Sequence, residues 1–177
     1  MRQVVVDTET TGLNPSSGDR IVEIACVELI DVRLSDREFH SYLNPGIQVP
    51  SAALAVHGLT DTFLSDKPGF KEVADAFMQF VAGAELVIHN APFDLGFINA
   101  ELARSDRLGI HHLCPKIIDT LLLARQARPG QRNDLDSLSF ALGISKSRRE
   151  LHGALADARL TARVFLAMQQ KWEFQAN

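Results

Sequence analysis

The chain has 177 residues, 46% of them hydrophobic and 23% charged, with a net charge of −4. That is enough for one domain with a substantial core and too little for two. No run of about 18 apolar residues occurs, which excludes a membrane-spanning helix, and the acidic balance excludes a protein that grips long duplex nucleic acid by charge alone.

Residues 2–7 (RQVVVD) are apolar and β-branched, which predicts a buried central strand ending at the first carboxylates. Three valines before a charge make too short an apolar run for a secretory signal peptide, so a cytoplasmic protein is expected. TTGLNPSSGD is dense in turn residues. Residues 20–33 alternate Ile21 and Glu23 against Val22 and Ile24 and suit a long strand. A third strand near 37–43, stopped by Asn44-Pro45-Gly46, completes an antiparallel meander. The pattern then turns helical. Residues 69–82 place Phe70, Val73, Phe77 and Phe80 or Val81 on one face. ELVIH reads as a short strand, and 92–104 as a helix with Pro92 at its favoured first position. IIDTLLLARQ reads as a strand running into a helix, 125–133 as a polar, basic loop, and 134–142 and 153–170 as helices. Strands first and β–α alternation afterwards predict an α/β fold with a mixed sheet covered by helices. Cys26 and Cys114, the only cysteines, read as buried thiols rather than a disulfide.

Three short segments carry chemistry. Asp7 and Glu9 are two apart on a strand, so both carboxylates project to the same side. Such a pair is either two solvated charges entering a turn or, neutralised by a hard cation, half of a metal site. His89-Asn90-Ala91-Pro92-Phe93-Asp94 follows ELVI at a strand-to-helix junction, where α/β proteins build sites. Asp94 there also suits the helix dipole. In His152-Gly153-Ala154-Leu155-Ala156-Asp157, five helical residues would set His152 and Asp157 on different faces. Gly153 lets His152 lie on the loop while Asp157 points inward, and a histidine beside a metal site is a natural general base.

Together DTETTGL, HNAPFD and HGALAD, in this order, resemble the three motifs of the DEDD exonuclease superfamily in its histidine-bearing (DEDDh) branch. The resemblance spans about residues 3–168. It is nearest to the epsilon-type proofreading nucleases of bacterial DNA polymerase III, through VHGLTD, KPGFKEVADAFMQFV and RNDLDSLSFALGI. It implies a ribonuclease H-like fold, a mixed five-stranded sheet with helices on both faces, filling 1–168 before a short tail, 169–177. It implies 3′→5′ hydrolysis with two Mg²⁺ or Mn²⁺ ions held by Asp7, Glu9, Asp94 and Asp157, with His152 as base and nucleoside 5′-monophosphates as products. Thr8, Thr10, Thr11, Leu13 and His57 match positions around the terminal nucleotide. The epsilon-like pattern often carries a glutamate five positions before His57. Here that position is Ala52, which leaves the sugar end to a neighbour such as Ser51. The implied substrate is a single-stranded DNA 3′ end and the implied partner the polymerase III catalytic subunit. RNA trimming, or a catalytically silent docking module, are the alternatives.

Other polar residues read as structural. Asp119 is expected to cap a helix. His40, His111 and His112 read as surface or strand residues. Arg125, Arg128, Arg132 and the Lys146–Arg149 cluster read as solvated charge with a second possibility of phosphate contact. Gln169, Trp172 and Phe174 have the spacing of the short peptides that dock on the replication sliding clamp.

Overall fold

The computed structural model describes residues 1–144 and 151–172. Its strands are β1 (Arg2–Thr10), β2 (Ile21–Ile30), β3 (Arg33–Tyr42), β4 (Glu85–Ile88) and β5 (Ile117–Asp119). They form a five-stranded sheet of order β3-β2-β1-β4-β5. The β1–β2 and β2–β3 pairs are antiparallel, and β1–β4 and β4–β5 are parallel. The meander and the mixed sheet are as the sequence suggested.

Helices cover both faces. On one, α3 (Phe70–Val81) and α4 (Ala91–Arg104) pack Phe77, Val81, Phe97 and Ile98 against Val4, Val6, Ile24 and Cys26. On the other, α7 (Ala154–Trp172) packs Ala154, Ala158, Ala162 and Phe165 against Val5, Ala25, Val27 and Leu29. Alanines four residues apart form one smooth stripe, so α7 lies close to the sheet. The far side of α7 takes α5 (Thr120–Ala127) and α6 (Leu135–Ala141) through Leu160, Val164 and Met168. Each buried phenylalanine, such as Phe77, Phe97 and Phe165, contributes about 1.5–3 kcal/mol of transfer free energy.

Several expectations shift. β1 runs on to Thr10, so Asp7 and Glu9 lie within the strand rather than beyond its end. β2 is buried on both faces through Leu29, so its alternation is not an inside–outside pattern. The buried stripe of α3 is Phe70, Ala74, Phe77 and Val81, with Val73 and Phe80 only partly buried. Ala74 does not mark this stripe in the sequence, because a methyl group is a weak pattern signal. Two short helices, α1 (Ser51–His57) and α2 (Asp61–Leu64), occupy the stretch between β3 and α3 that periodicity left unassigned. Both cysteines are buried and free. α7 continues to Trp172, past residue 168, and Trp172 packs partly buried on the cluster of Ala124, Leu138 and Met168.

The alternation of β1 sorts the site. Asp7 and Glu9 share the parity of Val5 and face α7, while Thr8 shares that of Val4 and Val6 and faces α4.

Candidate active site

On the α7 side, Glu9, His152 and Asp157 each offer a ligand atom, all within 4.8 Å of one another. His152 precedes α7, and its N–H donates to the Val56 carbonyl at 3.0 Å. Its ring is 59% exposed, with Nδ1 3.0 Å from Oδ2 of buried Asp157. The Asp157 N–H closes the first turn on the Gly153 carbonyl at 2.9 Å. Gly153 therefore separates the loop histidine from the helical carboxylate. Asp7 is half-buried at the centre. Its pKa is pushed well above the ordinary carboxyl range, first by desolvation and then by Asp94, Asp157, Glu9 and Glu23. A carboxyl held up by four like charges is a group that a divalent cation would ionise.

On the α4 side, Asp94 is 4% exposed and accepts a 2.7 Å hydrogen bond from Thr8 Oγ1. Burial pushes it up to about 7, and the Thr8 bond pulls the other way. Its helix starts from Asn90, held left-handed at φ 67°. Asp119 supports this turn by accepting from the N–H groups of Asn90 and Ala91 at 3.2 and 3.1 Å. The same carboxylate caps α5 through Leu121 and Leu122. The expected cap thus serves two helices, because parallel β4 and β5 end side by side.

Beside these carboxylates lies a pocket of about 500 Å³. Thr8, Glu9, Thr10, Thr11, Leu13 and His57 line it, facing Pro50, Ala52, Ala53, Val56 and Phe93. Ser51 is not on that wall; Ala52 is, so the edge near it is methyl rather than polar. Leu13, 85% exposed, stands at the rim. His57 is buried, and its Nδ1 accepts from the Leu59 N–H at 3.0 Å, which leaves Nε2 to carry the proton. The turn at the pocket mouth requires Gly12. A Cβ there would sit 2.3 Å from the Asp19 carboxylate, which holds Thr11 Oγ1 and the Asn14 N–H.

The exonuclease (RNase T) family model matches residues 4–165. This chain belongs to the exonuclease family. The DNA polymerase III subunit epsilon of Escherichia coli K12 is 49% identical over 173 residues, covering 94% of this chain and 71% of that one. The same subunit of Pasteurella multocida is 48% identical over 172 residues, covering 94% and 68%. Among solved structures, Exonuclease X in complex with 5′ overhanging duplex DNA superposes with a TM-score of 0.74 at 27% identity, covering 98% and 95% of the two chains. The nuclease domain of 3′hExo, a DEDDh family member bound to rAMP, is similar in fold, with a TM-score of 0.83 at 21% identity over 99% and 96%. The sheet with helices on both faces is the ribonuclease H-like fold of these exonucleases.

Not every polar group of this exonuclease sits where its sequence suggested. His40 is on β3, as one reading had it, but it is not without a partner: its Nε2 lies 2.7 Å from Glu23 Oε1. Glu23 itself is a buried carboxylate beside the cluster that the motifs do not mark. Only the alternation of β2, which sets Glu23 on the same face as Ala25 and Val27, could have pointed to it. His111 and His112 are exposed in a short turn. Arg128 is spent on its own loop, bonding the Arg132 carbonyl, Asn133 and Gln131, and Arg132 pairs with Asp134. Arg125 is exposed beside His89 and Asn90. The Lys146–Arg149 cluster and Phe174 lie outside the described residues.

Proposed function

We propose that this exonuclease hydrolyses phosphodiester bonds at the 3′ end of single-stranded or frayed DNA. It releases nucleoside 5′-monophosphates, as the proofreading subunit of a bacterial DNA polymerase III. The observation that carries the reading is the convergence of Glu9, Asp157 and His152 within 4.8 Å, beside a pocket sized for one nucleotide.

The donor set fits hard divalent cations. It is almost wholly carboxylate oxygen, and Asp7 is raised first by burial and then by the acids around it, both of which a bound cation would offset. In this reading Asp7, Glu9 and Asp157 would hold one Mg²⁺ or Mn²⁺ ion, and Asp7 and Asp94 would hold the other. When bound, such a pair lowers the cost of deprotonating water and of charge on the leaving oxygen. His152 accepts the proton of the attacking water, its exposed ring turning away from Asp157 on the Gly153 hinge. Thr8 holds Asp94 in place. Leu13 and Phe93 grip the terminal base, Thr10 and Thr11 lie along it, and His57 donates a hydrogen bond from Nε2 to the nucleotide. The negative net charge suits a protein that holds only a short 3′ end and leaves duplex to its partner.

The same reading makes 1–168 the exonuclease domain and the protein cytoplasmic, acting with the polymerase III catalytic subunit. Gln169, Trp172 and Phe174 in the 169–177 tail would meet the sliding clamp. Trp172 is partly packed on α7's neighbours and would have to leave them, so Phe174→Ala is the cleaner probe. Clamp capture unaffected by it sinks the clamp contact.

The decisive assay is nucleotide release from labelled single-stranded DNA and RNA of one sequence, with Mn²⁺. Monophosphates released stepwise from DNA, and lost in Asp7→Ala, are expected. A strong preference for RNA would make the enzyme an exoribonuclease, the small side chains of Ala52 and Ala53 leaving room for the 2′-OH. Equal silence of wild type and Asp7→Ala would make it a docking module.

A further inference from the structure

We infer that Glu23 is a positioning residue for the active site: it ties the start of α7 to β3 through His40 and so sets Asp157 and His152 against Glu9. The inference rests on the proposed function for its catalytic consequence.

Glu23 is 3% exposed on β2, and it stands directly opposite Glu9 in the β1–β2 register. Like charges opposite one another on one face of a sheet destabilise it, and a buried carboxylate without partners costs more. Glu23 has two. Its Oε2 accepts the Ala154 N–H at 3.0 Å, and its Oε1 lies 2.7 Å from His40 Nε2.

The first contact spans 131 residues and does a job that local sequence leaves undone. A helix begins with N–H groups lacking partners, usually served by the side chain just before it. Here that residue is Gly153, which has none. Glu23 caps α7 from the neighbouring sheet instead, and its charge suits the positive end of the helix dipole. Gly153 lies over the carboxylate, since a Cβ there would come 3.8 Å from Oε2. The second contact fixes the carboxylate from the other side. His40 meets Tyr42 edge-on at 4.8 Å between centroids, and Tyr42 meets Phe63 of α2 at 5.0 Å.

The turn that Glu23 holds is the one that carries the chemistry. Asp157 closes it, and His152 hangs from its first residue. The paired strand places Glu9 across from it. A shift of about 1 Å in such a turn can cost about a hundredfold in rate. A leucine of similar size would fill the space without the desolvation cost of a buried charge, so the carboxylate's distinctive contribution is directional.

The test compares Glu23→Ala, Glu23→Gln and His40→Ala in the whole protein, by steady-state hydrolysis of a DNA oligonucleotide, Mn²⁺ titration and thermal melting. The glutamine amide can accept from Ala154 and donate to His40. Glu23→Ala is expected to lower kcat about 10- to 100-fold with KM within about threefold and to weaken Mn²⁺ binding severalfold, because Asp157 is displaced. Glu23→Gln should recover to within about fivefold of wild type, and His40→Ala should lose about three- to tenfold. Glu23→Ala within twofold of wild type in both rate and Mn²⁺ affinity overturns the inference, as does a Glu23→Gln no better than Glu23→Ala. If Glu23→Ala does not fold, a His40→Ala with wild-type rate overturns it. A wild type that binds Mn²⁺ but cleaves nothing would sink the proposed function instead, and the Mn²⁺ shift in Glu23→Ala would still decide this point.

Discussion

On the α7 side of β1, Asp7 stands with Glu9, Glu23 and Asp157 and is raised by burial and by its acidic neighbours, whereas on the α4 side Asp94, the first of the carboxylates that raise Asp7 and itself raised by burial to about 7, has a hydroxyl donor 2.7 Å away that pulls it back. Thus β1 borders one crowded acidic face and, through Thr8, one acid partly settled by a neutral partner. The difference follows from parity alone: Thr8 lies between Asp7 and Glu9 in sequence and must point to the opposite face. The crowded face holds the histidine and the settled face does not, so variants on the two faces should fail differently.

The largest contrast is expected from His152→Ala. On the proposed mechanism it removes the base from the crowded face without removing an oxygen donor, so turnover should fall about 10²- to 10⁴-fold. Mn²⁺ affinity measured by calorimetry should hold within about threefold. Because Glu9, His152 and Asp157 could also serve as a ligand trio, loss of affinity along with rate would reassign the histidine to the metal. Activity should also fall as pH drops below about 7, because Asp94, raised by burial to about 7 in the metal-free site, must lose its proton to hold a cation, and the variant should keep this limb.

Next in size is the pH dependence of the metal-free fold. Asp94 is raised by burial from the ordinary 3.8 to about 7, and Asp7 is raised as well. A raised pKa means the fold prefers the protonated acid, so this stability is fully present below pH 4 and is lost as pH rises through about 7. For Asp94 the loss is at most roughly 4 kcal/mol, on the order of 10 °C in melting temperature for a domain of this size. Melting in EDTA should therefore drop between pH 4 and pH 7.5, and Mn²⁺ should restore it at pH 7.5 while doing little at pH 5. A flat EDTA profile would mean that the carboxylates are solvated rather than crowded.

Legibility in the sequence followed the same division between local and distant contacts. The valine run of β1, the Asp119 cap and the release of His152 from α7 by Gly153 are all read within a few residues, and each is found in the fold. The resemblance points to Thr8 as a pocket residue, and it does line the pocket, but its bond to Asp94 crosses 86 residues and leaves no local trace. The Glu23–Ala154 cap was equally hidden, and so His40 looked idle. α1 and α2 are too short for periodicity to emerge, with seven and four residues. Ala74, Ala158 and Ala162 bury completely yet register as neutral letters, which is why the inner face of α3 reads only through its larger residues and that of α7 shows no stripe in the sequence.

The smallest expected effect tests the settled face. Thr8→Val keeps the shape of the side chain and removes the hydroxyl that donates to Asp94. That bond lowers the pKa of Asp94 against the burial that raises it, so its loss should push the acid higher still. A hydrogen bond to a charged acceptor contributes about 1.5–3 kcal/mol, which corresponds to a rise of roughly one to two pH units in the midpoint for ionising Asp94. Mn²⁺ affinity and turnover should therefore fall about tenfold or more at pH 7 and recover largely by pH 9, where even the raised acid ionises. The crowded face has no such rescue, because Asp7→Asn removes a charge that alkali cannot return. If Thr8→Val is as inactive at pH 9 as at pH 7, the threonine acts on the nucleotide in the pocket rather than on Asp94, and the two faces of β1 are less distinct than their hydrogen bonds imply.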